Sequence, residues 1–247
     1  MKLTEIGTPP WTEEDIKNKL DEFAELYKSR PIENNTWGMK APHLFATWFI
    51  IQHVKFKTIV ESGIAKGQGT WVIEQANPDA KVFSIDILLN QRKYISDKVT
   101  YFGDDFSILD SDDQFGENFC KLDKENTLCF FDDHIHAFNR TKLLYENNFK
   151  YAIFEDNYPT GKGDVVSLKQ KFDACGEDSD YLRSIIKTYY EFPPIVKLEK
   201  NRWKEKWDKY PIKDPVLSSI ENPLHQIYKD EADNYTWLCY VELKNKI

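Results

Sequence analysis

One stretch constrains this chain more than any other: the β-branched run Thr58-Ile59-Val60-Glu61, followed at once by Gly63-Ile64-Ala65-Lys66-Gly67-Gln68-Gly69. A strand that breaks into a glycine-rich turn and then a helix is the start of a parallel α/β unit, because glycine supplies positive φ and lets the backbone approach a ligand. Further strands are expected at Lys81–Ile87, Val99–Phe102, Thr127–Phe131 and Tyr151–Phe154, with helical segments between them. Such alternation implies a mostly parallel sheet covered by helices on both faces. Ligands of open α/β sheets bind outside the carboxyl ends of the strands. Asp86 ends the second strand, where an acid accepts hydrogen bonds from the ribose hydroxyls of an adenosine cofactor.

Upstream, Thr12 is expected to cap an amphipathic helix over residues 12–29, with Ile16, Leu20, Phe23, Leu26 and Tyr27 at helical spacing. A second helix opens at Pro42 and runs to about Val54. Downstream, Ser167–Phe172 and Asp180–Tyr190 read as helices, Ile195–Leu198 as a sixth strand and Thr236–Leu243 as a late strand. Trp203, Trp207 and Tyr210, at i, i+4 and i+7, read as the buried side of an amphipathic helix. The reading is one domain over 1–247, with an N-terminal helical segment (1–55), a cofactor-binding core (56–160) and an aromatic-rich insertion or lid (199–235).

Hydrophobic residues make up 41%, enough for a packed core. The net charge of -8 and pI near 5.3 argue against nucleic acid as a partner, since phosphates call for a basic face. No apolar run reaches the roughly 18 residues of a membrane span, and Met1–Glu5 lacks the apolar start of a signal peptide. The four cysteines (Cys120, Cys129, Cys175, Cys239) lack metal or redox spacing and are expected as reduced packing residues in a cytoplasmic protein.

The glycines fall at relative positions 1, 5 and 7, not the 1, 3 and 6 of a dinucleotide fingerprint. Residues Ile59–Thr70 and Val82–Ile87 instead resemble motif I and the following acidic strand end of class I S-adenosylmethionine-dependent methyltransferases, with Ala65 where that family has its middle glycine. The resemblance implies a Rossmann-like seven-stranded sheet and a cofactor site of Glu61, Gly63, Gly67, Gly69, Thr70 and Asp86. Asp104 and Asp105 then fall at the adenine-side loop, and Asp132 at the next strand end. Glu61 is implied near the methionine end of S-adenosyl-L-methionine.

The fourth strand runs into Asp132-Asp133-His134-Ile135-His136 and the fifth into Glu155-Asp156-Asn157-Tyr158. Bare carboxylates gathered on one rim repel one another, and a divalent cation resolves that; oxygen ligands suit Mg²⁺. The pairs Asp133-His134 and Asp156-Asn157 resemble those of metal-dependent O-methyltransferases of the catechol type and of the macrolide-sugar (macrocin and mycinamicin) type. This implies Asp133, Asp156 and Asn157 as metal ligands and His136 as catalytic base, with His134 the second candidate. A hydroxyl must lose its proton as it accepts a methyl group, and histidine takes protons near neutral pH. Each residue has a plainer role open to it: Asp133 as a helix cap, Asp156-Asn157 as a turn.

The implied function is O-methyl transfer to a hydroxylated small molecule, a sugar or glycan favoured, with Mg²⁺ or another divalent cation assisting. Neither nucleic acid nor membrane is expected as a partner; a homo-oligomer is compatible. The alternatives are a metal-independent methyltransferase, a nucleotide-dependent sugar-modifying oxidoreductase and a catalytically silent binding module.

Overall fold

The computed structural model describes residues 3–36, 38–107, 121–232, 235 and 237–246. Cys120 and parts of the insertion named above lie outside them. A seven-stranded sheet has the order β3-β2-β1-β4-β5-β7-β6, formed by β1 (Thr58–Ser62), β2 (Lys81–Ile85), β3 (Val99–Phe102), β4 (Thr127–Phe131), β5 (Tyr151–Phe154), β6 (Ile186–Glu191) and β7 (Cys239–Leu243). β1 to β5 run parallel, and β7 lies antiparallel between β5 and β6. With helices on both faces this is the expected Rossmann-like arrangement.

Strand alternation divides the core in two. Ile59, Leu128 and Ile153 face a layer containing α2 (Leu20–Tyr27), α3 (Ala41–Val54) and α4 (Gln68–Ala76). Val60, Cys129 and Ala152 face the opposite layer, under α5 (Ala137–Glu146), α6 (Leu168–Ala174) and α7 (Glu177–Ile185). Successive strand side chains point to opposite faces, so a strand buried on both must be apolar throughout; β1 is buried along its whole length. α3 is buried from Ala41 to Ile51, with Pro42 in its first turn.

Several expected elements change form. Thr12 does cap α1 (Glu13–Lys17), in a reciprocal capping box with Asp15. The expected single helix is broken at Asn18–Lys19, where the Lys19 amide bonds back to Ile16 rather than a full turn. The helix expected over Asp180–Tyr190 stops at Ile185, and Ile186–Glu191 pairs with β7 as an edge strand. Its β-branched and aromatic residues fit a pleated surface better than a helix. Ile195–Leu198 forms no strand, only a bridge from Val196 to Leu217; Pro193 and Pro194 just before it remove two backbone donors. Trp203, Trp207 and Tyr210 lie on turns, not a helix, yet still pack with Tyr235 and Trp237. Cys129 and Cys239 are buried, whereas Cys175 is exposed. Among the described residues no helix is long and apolar enough to cross a membrane.

The registers put the strand ends level. Ser62 pairs with both Ile85 and Phe131, and Phe131 with Phe154. Ladder bonds continue one residue further, from the amides of Gly63, Asp132 and Glu155 to the carbonyls of Ile85, Ser62 and Phe131. Gly63, Asp86, Asp132 and Glu155 thus leave the sheet side by side. Because Phe154 and Glu191 both pair with Cys239, residues 192–238 leave and rejoin the sheet at the same rim.

Candidate functional site

The glycine loop is built by close approach. Gly63 has φ +92°, and a Cβ there would stand 2.0 Å from the Asp132 carbonyl oxygen, so no side chain fits. Gly67, also at φ +92°, forms the N-cap of α4. A Cβ on Gly69 would stand 2.7 Å from Glu61 Oε1. Ala65, in place of a glycine, takes φ +46°, a left-handed conformation that costs a residue with a Cβ about 1–2 kcal/mol. Glu61 is wholly buried below the loop; its Oε2 accepts from Thr70 Oγ1 at 2.7 Å and Ser84 Oγ at 2.5 Å. Its Oε1 is buried without a hydrogen bond. Burial outweighs those two bonds and pushes its carboxyl up to about 7.

Asp86 pins this loop. Its Oδ2 accepts from the amides of Ile64 at 2.7 Å and Ala65 at 3.0 Å, and Oδ1 from Leu88 at 2.7 Å. A carboxylate oxygen accepts about two hydrogen bonds, so Oδ1 alone has capacity left for a ribose hydroxyl. Asp86, Gly63, Asp104 and Asp105 line a cleft of about 300 Å³, together with the exposed side chains of Ile87, Leu88 and Ile135. Asp104 accepts the Asp105 amide at 2.7 Å.

Asp133 is drawn away from its expected metal-binding role. Its Oδ2 accepts from Ser62 Oγ at 2.7 Å and Arg140 Nε at 2.9 Å. The buried Arg140 also donates through Nη2 to Asp105 at 2.5 Å. Burial alone would push Asp105 up, but the Arg140 hydrogen bonds prevail and hold it well below the usual carboxylate range. One guanidinium thus ties the β3 loop to the β4 turn. Asn157 is likewise occupied: its amide donates to Tyr189 Oη at 2.8 Å and its carbonyl accepts the Lys169 amide at 2.9 Å. Below it, Lys169 holds Glu191 at 2.7 Å in a buried pair.

The acids that do converge are Asp132 and Asp156. With His134 they bring three ligand atoms within 4.8 Å of one another. Asp156 Oδ2 is buried without a hydrogen bond, and His134 Nδ1 stands 3.4 Å from it. Asp132 is half-buried where the two cavities meet, and desolvation, then Glu155 and Asp156, raise it well above the ordinary range. Burial and Asp156 do the same to Glu155, which meets His43 Nδ1 from α3. Burial, aided by Arg202, outweighs Asp156 at His43 and lowers it to about 3, so that ring is neutral. Carboxylates gathered this closely favour either protonation or a nearby cation.

The two histidines part company. His134 has φ +53°, which turns the chain. Its Nδ1 stands 3.1 Å from Asp164 Oδ2, and it lines both the 300 Å³ cleft and a second cavity of about 530 Å³. His136 lines neither; it opens α5, edge-on to Phe138. Burial, then Lys171 of α6, lowers its pKa. The larger cavity continues over Asp156, Tyr158 and Arg202 to Trp203. Sequence reading gave no site role to Arg140 or His43; for the stretch holding Arg202 it weighed basic groups that hold an anionic substrate against a packing helix.

No family model matches the chain, and no curated protein matches it. Solved structures are similar at low identity. The plantazolicin methyltransferase BpumL, in complex with a pentazolic desmethylPZN analog and SAH, is 16% identical with a TM-score of 0.47, over 95% of this chain and 100% of that one. The SAH-bound Podospora anserina methyltransferase PaMTH1 is 12% identical with a TM-score of 0.43, over 97% and 99%. CmcI-N160 in its apo form is 19% identical with a TM-score of 0.41, over 63% and 70%.

Proposed function

We propose that the chain is an S-adenosylmethionine-dependent O-methyltransferase acting on a hydroxyl of a small molecule, a sugar or glycan favoured, with a divalent cation assisting. The observation that carries this reading is the meeting of the two cavities at Asp132 and His134. One cavity lies over the glycine loop and Asp86 and suits the cofactor. The other suits an acceptor, and a reactive group at the junction reaches both.

Gly63, Asp86, Asp104 and Asp105 line the cofactor side, while Glu61, Gly67, Gly69 and Thr70 shape the loop and helix start beneath it. Exposed Ile87, Leu88 and Ile135 offer apolar faces to a flat base. When bound, S-adenosylmethionine supplies a methyl group on a positively charged sulfur. Asp132 and Asp156 fit a divalent cation, because Asp156 Oδ2 is a buried oxygen in need of a partner; Mg²⁺ is commonly held by one or two carboxylates plus waters. Bound there, the cation supplies Lewis acidity toward the acceptor oxygen. Asp133 and Asn157 then support the turns that aim the ligands.

His134 is the general base in this reading. A proton on Nδ1, directed to Asp164, leaves Nε2 to take the acceptor's hydroxyl proton. Its left-handed backbone holds the ring at the junction. His136 keeps the smaller part of opening α5, and the insertion over 199–235 acts as a lid.

Calorimetric titration with S-adenosylmethionine and S-adenosylhomocysteine, with and without Mg²⁺, tests the proposal. Both cofactor forms bind, and Asp86→Ala abolishes binding because the loop amides lose their anchor. Undiminished affinity in that variant, or binding of a nicotinamide dinucleotide instead, overturns the reading.

A further inference from the structure

We propose that the 530 Å³ cavity takes a sugar acid, its carboxylate held by Arg202 together with Lys40; this rests on the methyl-transfer reading above. The cavity is lined by Asp132, Glu155, Asp156 and Asp164, and also by these two cations. The acids come from the β4 and β5 ends and the loop after them. Lys40 comes from the residue before α3, and Arg202 from the insertion.

Three basic side chains elsewhere in the fold are engaged in ion pairs. Lys162 pairs with Glu205 at 3.2 Å, Lys169 with Glu191 at 2.7 Å and Lys213 with Glu5 at 2.6 Å. Among the described residues, Arg202 and Lys40 have no side-chain hydrogen bond or ion pair, although carboxylates share their cavity. Arg202 is positioned by ring faces instead. Its guanidinium carbon lies 5.5 Å from the Tyr158 ring centroid and 5.9 Å from that of Trp203. Trp203 is itself backed by Trp237, with centroids 5.7 Å apart and planes 12° from parallel. Ring packing holds a guanidinium without consuming its in-plane N–H donors. Those donors form a fork that matches a carboxylate in bidentate fashion.

A monoanion suits the site better than a phosphate. A doubly charged group would meet stronger repulsion from Asp156 and Asp164. The acceptor is thereby fixed at two points: its acid group at Arg202 and its hydroxyl at the junction with the cofactor cleft.

The test uses the full chain with Mg²⁺ and S-adenosylmethionine labelled in its methyl group. Glucuronate is compared with glucose and glucose 6-phosphate, and galacturonate with galactose. The acids are expected as the methylated partners, with kcat/KM well above the neutral sugars. Arg202→Gln should raise KM for the acid about 10- to 100-fold, the usual size for loss of a charged hydrogen bond, with kcat and cofactor affinity little changed. Lys40→Gln should act in the same direction and less. Preference for the neutral sugar or the phosphate ester, rejection of both acids, or an acid preference that survives in the double variant overturns the proposal. If no cofactor binds at all, it is the methyl-transfer reading that falls.

Discussion

The two halves of the strand-end rim contrast sharply. On the β1–β2 side most of the hydrogen bonding is internal: Asp86 accepts three amides, and Glu61 Oε2 two hydroxyls. On the β4–β5 side Asp156 Oδ2 has no hydrogen bond, and Asp132 and Glu155 are raised by burial and by one another. The first half is a cradle that stands before its ligand arrives. The second gathers carboxyl groups whose charge is disfavoured by burial and by one another.

The largest expected effect breaks or confirms the role of the junction. His134→Ala should lower kcat about 10²- to 10⁴-fold, the range for a general base, while cofactor and Mg²⁺ affinities persist in titration. Loss of Mg²⁺ binding in that variant would make His134 a third ligand, and the second half would then be a closed metal site.

A smaller effect probes the one tension in the first half. The Glu61 carboxyl is raised by burial from 4.5 to about 7, above its unfolded value of about 4.3. Between those values the unfolded chain releases a proton that the folded chain keeps, so stability falls as pH rises. The loss is on the order of 3 kcal/mol and is complete above the folded value. Chemical denaturation from pH 4 to 8, without cofactor, should show a steeper decline for the parent than for Glu61→Gln. Parallel curves would mean that Glu61 is charged in the folded state.

The smallest effect sharpens the idea of a preformed cradle. Ala65→Gly relieves the φ of +46° and should stabilise by about 1 kcal/mol, less the entropy glycine adds to the unfolded chain. A lower Tm would show that Ala65 packs better than its backbone suggests.

The first half was also the more legible in sequence. Strand, glycine turn, helix and acidic strand end are local patterns, and β1, β3, β4 and β5 lie where alternation placed them. What escaped depends on distant partners. Asp133 and Asn157 have the right spacing for ligands, but Arg140 and Tyr189 claim them, and no local pattern announces that. His134, not His136, lines the two cavities, and the positive φ of His134 is something that spacing does not encode. Ile186–Glu191 reads as helix until β7 is present to pair with it.

The return of residues 192–238 to the rim has a consequence for how such a chain diversifies. A segment whose two ends sit together at Glu191 and Cys239 can lengthen, shorten or be exchanged with little cost to the sheet, since closing a longer loop adds entropy only slowly. The sheet thereby works as a fixed chassis and the segment as an interchangeable cassette, so the lining of the cavity at Arg202 and Trp203 can be changed through that segment while the glycine loop is left untouched.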